Sequence, residues 1–318
     1  MYDHMLIDGR NAMYRAIYAG LADQEFVKSK YDFAVIFFRF TNHLINKFRP
    51  KSIHLFWDCP KEMVWRRKIY PQYKESREHR RTDIDIDSIL KRTIQIIKEI
   101  STFANCHNYE LPKQEADDLI YAFCFRNRSV KSLIISSDGD FKQIPYLFHN
   151  VDLLNPLRKP EKIYQNDEID PVSVKCLMGE KTDNIDGYEK IGPVRAQQLI
   201  CDPPRRAKFL LDNGEQLYRR NRALIDLSIC PYVLDNYMYV DQIMSELVRF
   251  DLKAIQDIIQ RYKIRGLSGE ISRTILPLKF INVKENTDGN PDALCAGKSS
   301  QGETRRNDLQ RVEFTPVD

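Results

Sequence analysis

Residues 130–140 read VKSLIISSDGD, an apolar run that ends in two aspartates, Asp138 and Asp140. Two earlier runs have the same form, since residues 4–7 lead to Asp8 in LIDGRN and residues 52–57 lead to Asp58 in LFWDCP. A fourth apolar run spans residues 151–154. Short apolar runs that alternate with helix-period stretches are typical of a parallel sheet. We therefore predict an α/β protein with a central, mostly parallel sheet flanked by helices.

The spacing of apolar residues predicts helices over residues 31–47 and 89–103. From about residue 171 the strand pattern fades and helix signals dominate, with one break at Pro203-Pro204. The end of the chain is rich in small and polar residues. We expect an α/β core over 1–170, a helical part over 171–284 and a flexible tail over 285–318.

Composition excludes several classes of protein. Hydrophobic residues make up 42% and charged residues 30%, which excludes global disorder. No apolar run is long enough to span a bilayer, and we expect no secretory leader. Seven cysteines without a CxxC pair argue against a disulfide framework and a zinc ribbon. We expect a cytoplasmic protein.

The charge is unevenly distributed along the chain. The total is +4, but the stretch after residue 284 holds four basic and seven acidic residues, so the rest is more basic than the total suggests. A mildly basic body suits a polyanionic partner.

The aspartates at the strand ends predict a site. In a parallel sheet Asp8, Asp58 and Asp138 would meet at the carboxyl edge, where ligands bind in open α/β folds. Gly9 and Gly139 directly follow two of them and permit tight turns and close backbone approach.

Two further acidic groups accompany these strand ends. KQEADDLIYAF places Glu115, Asp117 and Asp118 in the first turn of a helix, where complementation of the helix dipole is the ordinary reading. GEKTDNIDGYEKIG carries Asp183 and Asp186.

So many carboxylates in one place repel one another, by roughly 4 kcal/mol for two charges about 4 Å apart. Oxygen ligands without histidine or cysteine suit Mg²⁺ or Mn²⁺, and two ions would activate water and stabilise a leaving oxygen.

A basic segment lies between the acidic groups. Aromatic residues Trp65, Tyr70 and Tyr73 are interleaved among eight basic ones, as in surfaces that bind phosphates and unpaired bases. A solvated helix face is the alternative for such a charge run. The eight are Lys61, Arg66, Arg67, Lys68, Lys74, Arg77, Arg80 and Arg81. Further on, the stretch from Gly187 to Ala196 predicts a glycine-bounded turn followed by a helix that begins at Pro193, an arrangement that suits phosphate.

Together, LIDGRN, FWDCP, YPQYKESR, EADD, SSDGDF and GEKTDNIDGYEKIGPVRA resemble the 5′ nuclease (flap endonuclease) superfamily, over residues 5 to about 196 and more weakly to about 280. Within it the chain is most similar to the phage replication enzymes called ribonuclease H, which remove RNA primers.

The resemblance implies a site residue by residue. One Mg²⁺ ion would be held by Asp8, Asp58, Glu115 and Asp117, a second by Asp138, Asp140, Asp183 and Asp186, with Asp118 close to both. Lys74 and Arg77 would contact the scissile phosphate, with Asp8 and Asp138 also catalytic. Nucleic acid would be bound by an arch over about residues 60–90 and by a helix-hairpin-helix over about 179–200 that can hold K⁺. The implied contacts are Arg66, Arg67, Tyr73, Arg80, Arg81, Gly187, Ile191, Gly192, Val194 and Arg195.

The implied activity is 5′-3′ exonuclease, flap endonuclease and RNase H cleavage of nicked, branched or RNA-primed duplex during DNA replication. A sliding clamp and a single-strand-binding protein are partners that the resemblance implies. LQRVEF at 309–314 faintly resembles a clamp peptide, but such strings occur by chance in chain ends and the string does not carry the expectation. We expect a monomer. Two alternatives remain open: a non-catalytic nucleic-acid-binding protein that kept the fold, and a small-molecule phosphatase. Such phosphatases need a second acidic residue two positions after the aspartate of the first strand. In this chain the residue two positions after Asp8 is Arg10.

Overall fold

The computed structural model describes residues 1–22, 33–75, 86–156 and 169–281, together with the backbone of 162–164. The helices are α1 (Gly9–Ala22), α2 (Phe33–Phe48), α3 (Arg66–Ile69), α4 (Ile86–Thr102), α5 (Ala116–Arg126), α6 (Gln143–Leu147), α7 (Pro171–Met178), α8 (Pro193–Cys201), α9 (Pro203–Asn213), α10 (Glu215–Ile225), α11 (Val233–Ser245), α12 (Leu252–Arg261) and α13 (Arg265–Thr274). The strands are β1 (His4–Asp8), β2 (Ser52–Phe56), β3 (His107–Tyr109), β4 (Ser132–Ile135), β5 (Val151–Asn155), β6 (Lys162–Tyr164), β7 (Gly179–Glu180) and β8 (Ile185–Asp186).

The central sheet confirms the predicted fold class. Its strand order is β3-β2-β1-β4-β5-β6, in which β1 to β5 run parallel and β6 is antiparallel to β5. The register aligns Met5 with Ile53 on one side and with Leu133 on the other. The sequence did not predict β3, whose residues HNY lack an apolar run, or the short edge strand β6. The strand order places the three aspartate-ending strands, β2, β1 and β4, side by side.

Strand side chains point alternately to the two faces of the sheet, and each face packs against a layer of helices. Met5 and Ile7 of β1 point into a core with α1, α2, α4, α12 and α13. Leu6, between them, points into the opposite core with α5 and α11. Side chains of a strand alternate between faces, so the uninterrupted apolar runs of the sequence reflect strands that are buried on both.

The two predicted helices are present with shifted bounds. α2 is described from Phe33 and ends at Phe48, and α4 covers Ile86–Thr102, one residue short of the predicted end. None of the helices in the described residues combines the length and apolar character of a membrane span.

The helices after residue 170 enclose a third core, to which α7, α8, α9 and α10 contribute. Two glycines hold the start of this part tightly together. A Cβ on Gly187 would lie 2.0 Å from the carbonyl oxygen of Met178, and Gly179 has φ +73. As predicted, a helix begins at Pro193 and the Pro203-Pro204 pair separates two helices. The described residues up to Ile281 belong to one compact unit, so the boundary predicted near residue 170 stays a prediction.

Candidate active site

The carboxyl edge of the sheet carries Asp8 on the central strand between Asp58 and Asp138. Gly9 allows the chain to turn there, because a Cβ at this position would lie 2.4 Å from the Trp57 ring. Gly139 is different: a Cβ would meet only the Lys175 Nζ atom at 3.8 Å. The packing therefore requires glycine at position 9, whereas a Cβ at position 139 would be accommodated.

Hydrogen bonds hold the Asp8 side chain in place, while its surroundings destabilise the ionised carboxylate. Ser136 Oγ donates to its Oδ2 at 2.9 Å and the Asn11 backbone N–H donates to its Oδ1 at 3.1 Å. Burial first, and then the charges of Asp58 and Asp138, raise the pKa of Asp8 to about 7. These are the conditions under which a carboxylate gains most from a bound cation.

The turn after β4 is joined to α7 by a lysine. Asp138 caps this turn by accepting from the Asp140 N–H at 3.0 Å, and burial followed by the Asp140 charge raises its pKa to about 6. Lys175 Nζ lies 2.6 Å from Asp140 Oδ1 and 2.7 Å from Glu180 Oε2. Although burial raises the pKa of Glu180, its contacts with Lys175 lower it below the ordinary value. Lys175 thus ties Glu180 to the edge of the sheet.

The first turn of α5 is built around a buried guanidinium. Glu115 is the N-cap and forms a capping box with Asp118, so part of this acidic group serves the helix end as expected. Arg66, 1% exposed, binds both oxygens of Asp118 at 2.9 and 3.0 Å and Glu115 at 2.8 Å, and its Nε donates to the Leu224 carbonyl. Trp65 Nε1 also donates to Asp118 at 3.0 Å. Both oxygens of Asp118 are therefore occupied by donors from the protein.

Lys74 connects α5 to the turn before β8. Its Nζ lies 2.6 Å from Glu115 and 3.6 Å from Asp183, and its backbone N–H donates to the Asp183 carbonyl. The hydroxyl of Tyr73 donates to both carboxylates, at 3.1 and 3.3 Å. Burial acts to raise the pKa of Glu115, but Lys74 and Arg66 outweigh it and hold the pKa at about 2. Asp117 has the opposite balance, since burial raises its pKa well above the ordinary value despite Arg66.

The structure joins most of the predicted acidic residues into two groups of shared partners. Ser136 and the turn after β4 link Asp8, Asp138 and Asp140, whereas Arg66 and Lys74 link the acidic residues of α5 and Asp183. Asp186 differs, because its side chain is exposed and has no hydrogen bond or ion pair within the described residues. Glu180, three residues before Asp183, contacts the same lysine, Lys175, as Asp140 does. The sequence reasoning passed over Glu180, yet its position directly after Gly179, in the same motif as Asp183, was a usable signal. It also passed over Lys175, Asn11 and Ser136, which no sequence pattern singles out.

Two residues predicted to bind nucleic acid lie elsewhere than expected. Arg66 and Tyr73 are buried among the carboxylates, so they cannot reach a substrate in this structure. Arg67 is half-buried. Arg77, Arg80 and Arg81 lie outside the described residues.

The turn before α8 is partly buried. Ile191 is buried, Gly187 and Gly192 are half-buried, and Val194 and Arg195 are exposed in the first turn of α8. A Cβ on Gly192 would meet nothing within 4 Å, so space does not require glycine there.

The donor set suits hard divalent cations, being made of buried, mutually repelling carboxylates. In the part of the chain that the structure describes, however, no three histidine, cysteine, aspartate or glutamate side chains are gathered closely enough to hold an ion as they stand. Lysine and arginine side chains lie between the carboxylates and neutralise them instead. The carboxylate side chains therefore fit divalent metal ions by their chemistry, while lysine and arginine side chains lie between these carboxylates.

A family model described as 5′-3′ exonuclease, N-terminal resolvase-like domain, matches residues 3–175, more than half of the chain. The chain belongs to the 5′-3′ exonuclease family. The matched span contains the three aspartate-ending strands, α5 and Lys175, but ends before Glu180 and Asp183.

Several relatives in this family align with most of the chain. A 5′-3′ exonuclease of Aquifex aeolicus is 28% identical over 284 residues, 84% of this chain and 94% of its own length. Ribonuclease H of Enterobacteria phage T4 is 29% identical, over 63% of this chain and 69% of its own. A flap endonuclease Xni of Shewanella denitrificans is 25% identical, over 62% and 76%. Among solved structures, the bacteriophage T5 flap endonuclease in a complex with DNA and metal ions has a TM-score of 0.61 at 21% identity, over 82% of this chain and 99% of its own, which supports the fold.

Proposed function

We propose that this protein is a metal-dependent 5′ nuclease that cleaves phosphodiesters at the 5′ ends of RNA primers and DNA flaps during replication, by a two-metal mechanism. One observation carries the proposal: Asp8 lies buried at the end of the central strand between two further aspartates, where burial and their charges raise its pKa and a bound cation would stabilise its anion. The names of the relatives, exonuclease, ribonuclease H and flap endonuclease, agree with this chemistry.

Two groups of carboxylates would hold the ions. Asp8, Asp58, Glu115 and Asp117 form the group nearest β1, β2 and α5. Asp138, Asp140, Glu180 and Asp183 form the group nearest β4 and the turns around β7. Asp118 positions Arg66 and the start of α5, and we assign it no ion. Bound Mg²⁺ or Mn²⁺ would activate water and stabilise the leaving oxygen. The K⁺ ion, the helix-hairpin-helix and the clamp partner remain predictions from the resemblance.

In this proposal Lys74 and Lys175 neutralise carboxylates in the metal-free protein and contact the substrate phosphate once metal ions are bound. Lys74 and Lys175 each lie within 2.6 Å of one carboxylate and near a second, so a bound metal ion would release them from neutralising these groups. A lysine released in this way can stabilise charge on the phosphate that is being cleaved. The left-handed backbone of Lys74, with φ 58, is held by its N–H bond to Asp183 and fixes where this side chain begins.

Cleavage of a 5′-labelled flap substrate tests the proposal. We expect products with Mg²⁺, none with EDTA, and none from Asp138→Ala, which should still bind the substrate. Product mapping on matched nick, flap and RNA-primer substrates then separates exonuclease from endonuclease action. Cleavage in EDTA, or wild-type turnover by Asp138→Ala, would contradict the metal mechanism. Binding without any cleavage under these conditions would favour the non-catalytic alternative, and hydrolysis of a chromogenic phosphomonoester would favour the phosphatase, for which the family match gives no support.

A further inference from the structure

A buried serine lies between the two groups of carboxylates that would hold the ions. Ser136 directly follows β4 and is 1% exposed. Its hydroxyl oxygen lies 2.9 Å from Oδ2 of Asp8, which belongs to the group nearest β1. The same oxygen lies 3.1 Å from the backbone nitrogen of Asp138, which belongs to the group nearest β4. One atom of this side chain therefore contacts a residue of each group.

The chemistry of the two partners fixes the direction of both hydrogen bonds. A backbone N–H can only donate, so the Ser136 oxygen accepts the bond from Asp138. The single proton of the hydroxyl is then left for the carboxylate of Asp8. Loss of this hydroxyl would remove a partner from a carboxylate of one group and from the backbone of the other at the same time.

The backbone on both sides of the hydroxyl is fixed as well. The Ser136 N–H donates to the carbonyl of Leu154 in β5 at 3.2 Å. In the turn that follows, Oδ1 of Asp138 accepts the N–H of Asp140 at 3.0 Å. The bond between Ser136 and Asp138 therefore orients the turn that carries both aspartates of the second group.

We propose that Ser136 is a positioning residue that sets the spacing between the two groups of carboxylates, and thereby the spacing of the two ions. This inference rests on the proposed function and adds to it a residue that acts through the metal ligands. Two-metal sites generally hold their ions about 3.5–4 Å apart, and functional side chains must be held within about 0.5 Å of the productive geometry. Mutation of a residue that is hydrogen-bonded to a metal ligand typically costs about 10- to 100-fold in metal affinity or activity.

Binding of Mn²⁺ in the absence of nucleic acid tests the proposal. Electron paramagnetic resonance counts the bound ions and detects the magnetic interaction between two neighbouring ions. The wild type should bind two interacting ions. Ser136→Ala should bind Mn²⁺ about ten-fold more weakly, with an altered magnetic interaction. Its kcat for flap cleavage should fall by about 10- to 100-fold with little change in KM, and Ser136→Thr, which keeps the hydroxyl, should bind Mn²⁺ as the wild type does.

Ser132→Ala is the matched control, because it removes the same hydroxyl from another buried serine on the same strand. Ser132 begins β4, and its Oγ has no hydrogen-bond partner within the part of the chain that the structure describes. This variant should keep the wild-type Mn²⁺ affinity, magnetic interaction and kcat.

Wild-type Mn²⁺ affinity and magnetic interaction in Ser136→Ala would overturn the inference, as would equal weakening in Ser132→Ala or alanine-like binding by Ser136→Thr. Far-UV circular dichroism in EDTA should show every variant folded, and an unfolded Ser136→Ala would assign the hydroxyl to the fold and contradict the inference. In each of these cases a wild type that binds two ions and cleaves only with metal would still support the proposed function. A wild type that binds no Mn²⁺, or that cleaves in EDTA, would overturn the proposed function and this inference with it.

Discussion

Replacing Asp8 with asparagine should stabilise the metal-free protein at high pH while abolishing cleavage. Burial, Asp58 and Asp138 raise the pKa of Asp8 from 3.8 to about 7. Between these values the folded protein holds a proton that the unfolded chain has lost, so the free energy of unfolding falls as pH rises, by about 1.4 kcal/mol per pH unit. The total loss through the folded pKa is about 4 kcal/mol. Asparagine does not titrate and escapes this loss, and it can still accept the Asn11 N–H bond.

Thermal unfolding of both proteins in EDTA at pH 5 and pH 8 measures the effect. The stability of Asp8→Asn relative to wild type should rise by about 3 kcal/mol between these pH values, or by roughly 4–5 °C in Tm for a chain of this size. Saturating Mg²⁺ should abolish most of the difference, since the ion binds only the wild-type carboxylate well. Asp186→Asn, at the exposed position without a partner, is the control and should show no pH-dependent difference. Parallel pH curves for Asp8→Asn and wild type would refute the reasoning.

Three further substitutions test the roles assigned above. Lys74→Ala should slow single-turnover cleavage by about 10²–10³ with little change in Kd, and an unchanged rate would remove it from the chemistry. Glu180→Ala should lower cleavage by about 10- to 100-fold in a Mg²⁺ titration, whereas Asp186→Ala should stay near wild type, and the reverse order would restore the original assignment from the sequence. Arg66→Met should cost about 3–5 kcal/mol in urea unfolding, because it leaves Asp118 buried without its partner, and a wild-type midpoint would argue against that pairing.

The parallel sheet and its acidic edge were predictable because each strand is a short apolar run that ends in aspartate, as at Asp8 and Asp138. Strand β3 could not be predicted from the sequence, because the burial of its polar HNY segment depends on neighbours that are distant in sequence. The same limit applies within the site. Residue type alone does not distinguish a cation that meets a substrate from one that is enclosed, and Arg66 proved to be enclosed. Likewise, the choice between Glu180 and Asp186 depends on which one faces Lys175.

The single side chain of Arg66 joins three distant stretches: its own helix α3, the start of α5 and the carbonyl of Leu224 at the end of α10. Such a junction makes competence for cleavage a late event in biosynthesis, because the final partner leaves the ribosome long after the acidic strand ends. A version truncated after residue 200 should accordingly fail to cut, even though it retains the carboxylates of both proposed metal groups.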